Sequence, residues 1–144
     1  MIIRQFIEND LKRVHEIETM SFDSSYGVEM ILKLFEIGSG FLVGEIDGYV
    51  VGYIIFWMKE ENEGHIISLA IDQNYRNLGI GTSLLKKAIL VFKGVGVDFV
   101  SLEVNANHDD SVRFYENFGF CIDRKVPHYY DNDDSAYIMF YKFK

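Results

Sequence analysis

The chain has 144 residues, 49% of them apolar and 15% aromatic, with 14 Lys and Arg against 22 Asp and Glu for a net charge of −8. That length predicts one domain over residues 1–144 with room for a buried core, and the single Cys121 excludes an internal disulfide or a cysteine zinc site. Without a leader, an apolar run of about 20 residues or a basic patch, the expectation is a soluble cytoplasmic protein with neither a membrane nor a nucleic acid as partner.

A short strand at 2–6 comes first, then a helix from Asn9 or Asp10, where Leu11, Val14, Ile17 and Met20 recur at helical spacing and Asp10 suits the N-cap. A second helix over 28–37 follows from Ile31, Leu32 and Phe35, with Gly38-Ser39-Gly40 as its stop. FLVGEI and YVVGYIIFWM are β-branched and aromatic runs joined by Asp47-Gly48, a pair that accepts the positive φ of a tight hairpin turn. EGHIISLAID is another strand, followed by a loop and a helix from Gly81 to Lys93. That helix should bury Leu84, Leu85, Ala88, Ile89 and Phe92 and end at Gly94 and Gly96. DFVSLEV then reads as a strand, HDDSVRFYENF as a helix closed by Gly119, and FCIDRKVPHYY and SAYIMFYKF as two strands split by the turn-prone 131–134. Hairpins mixed with helical crossovers predict a mixed sheet covered by helices.

The loop Arg76-Asn77-Leu78-Gly79-Ile80-Gly81-Thr82 leads into the third long helix. Amides that open a helix lack partners inside it and, with the helix dipole, favour an anion. Glycines remove the Cβ that would hold bulky oxygens away, and Arg76 adds a fixed charge with two-pronged donation. Two readings stand on the loop alone: a pyrophosphate cradle, or a glycine turn with a solvated arginine. A P-loop is excluded because position 82 is Thr where lysine is required, and a dinucleotide fingerprint because Leu84 occupies the third glycine position.

R-x-x-G-x-G after a strand ending SLAID resembles the acetyl-CoA loop of the GNAT N-acetyltransferases, and the element order is similar over essentially the whole chain. GHIISLAI, LEVNANHDDSVRFYENFGF and HYYDNDDSAYIMF further resemble the RimI-like protein N-terminal acetyltransferases. The resemblance implies an α/β (α+β) GNAT fold: a mixed, mostly antiparallel sheet of six to seven strands, about four helices, and splayed central strands. It implies acetyl-CoA (coenzyme A) bound by the 76–82 loop and by main-chain amides at Leu69, Ala70 and Ile71, which also act as an oxyanion-type stabiliser. The implied reaction is direct acetyl transfer to the N-terminal α-amine of a protein or peptide, with ribosomal proteins and nascent chains as candidates. Two other readings remain: the same chemistry on a small amine, and a non-catalytic acyl-CoA-binding regulatory module.

Glu103 alternates with Leu102 and Val104, so its side chain faces away from theirs, into solvent or into a cleft; the resemblance makes it the general base. His65 is an alternative base by virtue of its ordinary pKa near 6.5, or else a surface histidine at a strand end. Tyr115, next to Phe114 and near Phe118, is either a core tyrosine or, as the resemblance implies, the acid beside the cofactor sulfur. His108 falls where relatives contact the cofactor through an asparagine, a departure, with Asn107 immediately before it; both are implied cofactor contacts, and His108 can donate as an amide does or be a solvated helix-cap histidine. The resemblance places the peptide between Tyr129-Tyr130 and the loop holding Phe22 and Tyr26, with Glu18 a weaker candidate and Asp23 replacing the usual proline. His15 and His128 have no metal-ligand spacing, and the chemistry needs no metal.

Overall fold

The computed structural model describes residues 1–22 and 26–143. The elements are β1 (Ile2–Gln5), α1 (Leu11–Ser21), α2 (Val28–Glu36), β2 (Gly40–Ile46), β3 (Tyr49–Glu60), β4 (Glu63–Ile71), α3 (Ile80–Val95), β5 (Phe99–Asn105), α4 (Asp109–Phe118), β6 (Cys121–Val126) and β7 (Ala136–Lys142), with 3-10 turns at Glu8–Asp10 and Gln73–Tyr75. The strands form one seven-stranded sheet in the order β1-β2-β3-β4-β5-β7-β6. β1–β2, β2–β3, β5–β7 and β6–β7 are antiparallel. β4–β5 is parallel and pairs Glu63 with Phe99, Gly64 with Val100 and His65 with Ser101. β4 continues to Ile71 and β5 to Asn105 beyond that ladder. This is the mixed α/β architecture with four helices that the sequence implied.

The chain packs as two compact units. The first, Met1–Trp57 with Ile66–Val91, has a core of Phe6, Val14, Ile17, Ile31, Leu34, Phe41, Val43, Tyr53 and Ile55. Phe6 stacks on Phe41 with centroids 4.1 Å apart and meets Phe35 edge-on at 5.0 Å. The second, Met58–His65 with Phe92–Lys144, carries the β5-β7-β6 ladder and an aromatic cluster in which Phe120 contacts both Tyr115 and Tyr141. Gly64 is required here by close approach, since a Cβ would fall 2.5 Å from the Phe92 ring.

Local packing corrects several boundaries. Asp10 occupies the N-cap position of α1 but makes no capping hydrogen bond there: its carboxylate accepts from Arg4 Nη1 and Nη2, at 2.8 and 2.9 Å, and from the Ile7 amide. Met20 is 41% exposed, and Glu18, on the same face as Val14 and Ile17, is buried in its place. α3 starts at Ile80 and contains Gly94, so Gly96, at φ +91°, is the residue that ends it. Its predicted apolar face, Leu84, Leu85, Ala88, Ile89 and Phe92, is buried throughout. β6 stops at Val126 rather than Tyr130, because Pro127 has no N–H for the ladder and His128 takes φ +55°. Asp23 lies outside the described residues.

Candidate active site

In the first unit the 76–82 loop is shaped mainly by backbone and by one ion pair. Asp72, directly after β4, donates its amide to the Val51 carbonyl at 2.8 Å. One of its carboxylate oxygens accepts from the Asn74 amide at 2.8 Å, closing the Gln73–Tyr75 turn, and the other pairs with Arg13 Nη2. Arg13 is held in turn by the Val50 carbonyl (Nε–O 2.8 Å) and by the Tyr49 ring 4.2 Å from its Cζ. Burial opposes the Asp72 charge, but its hydrogen bonds to the Asn74 amide and Arg13, with the charges of Arg13 and Arg76, hold the carboxyl below the ordinary aspartate range.

Beyond this anchor Asn77 adopts φ +64° and Gly79 φ +81°, left-handed conformations that glycine adopts freely and asparagine tolerates. A Cβ on Gly79 would meet nothing within 4 Å, so that glycine is needed for its φ, and the space over it is open. Ile80 is buried and locks the start of α3, Leu78 is 65% exposed, and Gly81 and Thr82 form the first turn. Arg76 is not simply solvated: Nε donates to the Ile71 carbonyl at 3.2 Å and Nη2 to Ser21 Oγ at 3.4 Å. Ala70 is buried, with Leu69 and Ile71 half-buried beside it. Phe22 and Tyr26 pack partly buried against the core of this unit, and Glu18 accepts from the Tyr26 amide at 2.6 Å.

In the second unit the two candidate bases meet. Leu102 and Val104 are buried and Glu103 is turned the other way, as alternation required. Its Oε2 lies 2.9 Å from His65 Nε2, and its Oε1 accepts from the Tyr129 hydroxyl at 2.9 Å. Partial burial raises the carboxyl pKa, but the hydrogen bond and charge of His65, the Tyr129 hydroxyl and the charge of Lys59 outweigh it, so Glu103 sits below the ordinary glutamate range. His65 is not an exposed strand-end histidine: it is 9% exposed and its Nε2 lies against the Glu103 carboxylate. Behind His65, Ser101 Oγ lies 2.8 Å from Nδ1 and donates to Glu63 Oε2 at 2.5 Å.

Tyr115 is half-buried, flanked by Phe114 at 5.1 Å and Phe120 at 5.7 Å. Burial, and to a smaller degree the neighbouring Tyr130 phenol, pushes its pKa well above the ordinary tyrosine value, so it is protonated at neutral pH. Tyr129 and Tyr130 meet edge-on at 4.9 Å and both donate their amides to the Asp134 carbonyl. The Asp134 carboxylate accepts from Asn105, Asn107 and Asn132, tying this tyrosine loop to the end of β5. Asn107 is therefore engaged with Asp134. His108 occupies the α4 N-cap position, yet its side chain makes no capping hydrogen bond. Among the described residues no three His, Cys, Asp or Glu side chains gather in a way that could hold a metal ion, and no helix is long and apolar enough to cross a membrane.

Arg13, Asp72, Ser101, Glu63 and Asp134 were not singled out by the sequence. The only available signals were Asp72 directly after a strand and the Asx-rich 131–134 run, and neither distinguishes a structural anchor from an ordinary turn.

Residues 11–120 match the model of the acetyltransferase (GNAT) family. The chain is 40% identical over 144 residues to an uncharacterized N-acetyltransferase of Methanocaldococcus jannaschii, covering 99% of this chain and 92% of that protein. It is 32% identical over 150 residues to an N-alpha-acetyltransferase of Sulfurisphaera tokodaii, covering 95% and 90%. Its fold superposes on Ard1 from Thermoplasma volcanium with a TM-score of 0.93 at 31% identity, over 98% of this chain and 96% of that one. The chain therefore belongs to the GNAT family and is an acetyltransferase enzyme, in agreement with the resemblance carried by its 76–81 motif.

Proposed function

We propose that the protein transfers the acetyl group of acetyl-CoA to the N-terminal α-amine of a protein or peptide by direct attack of that amine. Acetyl-CoA supplies an activated acyl carbon and a thiol leaving group. The 76–82 loop fits its diphosphate: left-handed backbone at Asn77 and Gly79, open space over Gly79, and helix-start amides and Arg76 for negative charge. The main-chain amides of Leu69, Ala70 and Ile71, with Asn107 and His108, are assigned to the remaining cofactor contacts.

Glu103 is assigned the base, together with His65. An α-amine has an unperturbed pKa of about 7.7–8.0, so a useful fraction is already neutral at pH 7. Once the nitrogen bonds to the acyl carbon it bears positive charge and its proton becomes far more acidic, so even a carboxylate of lowered pKa suffices to take it. Tyr115 is assigned the acid side. Its raised pKa makes full transfer to a thiolate of pKa about 8.5 uphill, so its service is hydrogen-bond donation to the departing sulfur. Tyr129 and Tyr130 are assigned to peptide recognition, as are Phe22 and Tyr26, and the N-alpha-acetyltransferase relatives support a terminal amine over a small one.

The observation that carries this reading is the Glu103 carboxylate held at 2.9 Å by both His65 and Tyr129 in a chain with the acetyl-CoA loop motif. Thiol release is to be measured with acetyl-CoA and three acceptor sets: peptides with free termini, the same peptides blocked at the terminus but carrying lysine, and small amines. Release with the first set alone is the expected result. Release with small amines alone, or tight CoA binding without any release, contradicts it.

A further inference from the structure

A serine hydroxyl owns one proton, and at Ser101 its destination decides the state of His65. The Ser101 Oγ to Glu63 Oε2 separation of 2.5 Å is that of a hydroxyl donating to an ionised carboxylate. The Gly64 carbonyl is 3.5 Å away, and donation to His65 Nδ1 instead would leave Ser101 Oγ and the Glu63 carboxylate as two acceptors 2.5 Å apart. With its proton committed to Glu63, Ser101 Oγ can only accept from His65 Nδ1 at 2.8 Å, so Nδ1 must carry a hydrogen. We infer that Glu63 and Ser101 are positioning residues that lock a proton on His65 Nδ1, so that any proton at Nε2 is a second one, shared with Glu103.

The lock has a chemical consequence that rests on the assignment of Glu103 as base. When neither Nε2 nor Glu103 holds a proton, two acceptors face each other at 2.9 Å. Arrival of one proton turns that conflict into a charge-assisted hydrogen bond. The proton released by the attacking amine goes to this pair, with Nε2 as its resting place and Nδ1–H unchanged. A histidine free to choose its tautomer would relieve the conflict by moving its one proton to Nε2, and the pair would be a weaker base. Among the described residues, the charged and titratable groups around the pair are Lys59 from β3, Glu63 from β4 and the Tyr129 hydroxyl; on β7, the residues opposite Glu103 and Ser101 are the apolar Ile138 and Phe140. None of them donates to Nδ1 in place of Ser101.

The test has two arms on the full chain. Nitrogen-15 NMR of labelled histidine, followed to high pH, reads the His65 tautomer whether or not the enzyme turns over. Neutral His65 should carry its proton on Nδ1 in the parent and on Nε2 in Ser101→Ala and Glu63→Met; a parent that is protonated on Nε2 overturns the proposal. The pH profile of kcat/KM is the second arm. Both variants should move the midpoint of the rising limb to lower pH by about one unit, because the deprotonated pair is no longer in conflict, and lower the plateau about tenfold. An unmoved midpoint despite a changed tautomer also overturns it. Glu63 is only partly buried, so Glu63→Met serves if Ser101→Ala fails to fold. If Glu103 is not the base, the NMR arm still gives the locked tautomer while Glu103→Gln leaves turnover intact, which separates that failure from failure of the lock.

Discussion

The 72–82 loop and the Glu103 cluster are built on different physics. The loop takes its character from main-chain conformation: left-handed φ at Asn77 and Gly79, the amides opening α3, and one anchor, Asp72 on Arg13. The cluster takes its character from side chains on two parallel-paired strands and a loop, each hydrogen-bonded to the next from Glu63 to Tyr129. A main-chain site is insensitive to most side-chain changes but fails where a φ is forbidden. A side-chain chain of hydrogen bonds fails on an isosteric swap and depends on pH. The loop is thus suited to holding a ligand and the cluster to moving a proton.

Substitutions should separate the two. Glu103→Gln, nearly isosteric, should lower kcat by about 10²–10⁴-fold, with CoA affinity by calorimetry unchanged. A parallel loss of CoA binding would mean that the cluster also holds the cofactor. Tyr115→Phe should lower kcat by about ten- to a hundredfold, the worth of a hydrogen bond to a group gaining charge, again without loss of CoA affinity. Gly79→Ala should act in the opposite sense. Forcing a Cβ into φ +81° costs roughly 1–2 kcal/mol, to be read as about tenfold weaker CoA binding with kcat at saturation nearly unchanged. Asp72→Asn should affect chemistry least and stability most, lowering the unfolding free energy by about 1.5–3 kcal/mol in a denaturant titration at neutral pH. Because the folded pKa of Asp72 is depressed, its stabilisation is complete above the unfolded value near 3.9 and is lost as pH falls through the lower folded value. The gap between parent and Asp72→Asn should therefore close below about pH 4.

The sequence made the order of elements legible because each is written locally: helical spacing through Leu84, Leu85, Ala88, Ile89 and Phe92, a hairpin at Asp47-Gly48, a left-handed stop at Gly119. It also pointed to the loop, since R-x-x-G-x-G is contiguous. What it did not contain was register. The contact between His65 and Glu103 could not be read from the sequence because nothing local says that β4 and β5 run parallel with His65 opposite Ser101. That pairing brings the imidazole to Glu103 on one side and to Ser101 on the other. The placement of β7 between β5 and β6, and the use of Asp134 as a knot for three asparagines, depend on long-range pairing in the same way. Asp10 shows the reverse case: its local pattern fitted a cap, and a more favourable partner, Arg4, took its carboxylate.

The central claim, that the Glu103 cluster accepts a proton from a terminal amine acylated by acetyl-CoA, is tested most directly by locating the transferred group. A peptide with both a free terminus and an internal lysine is incubated with acetyl-CoA and either the parent or Glu103→Gln, and the product is sequenced by tandem mass spectrometry. The account predicts acetylation at the terminal nitrogen by the parent, at a rate reduced at least a hundredfold in the variant. Acetyl found on lysine alone, or terminal acetylation at equal rates by both proteins, would contradict it.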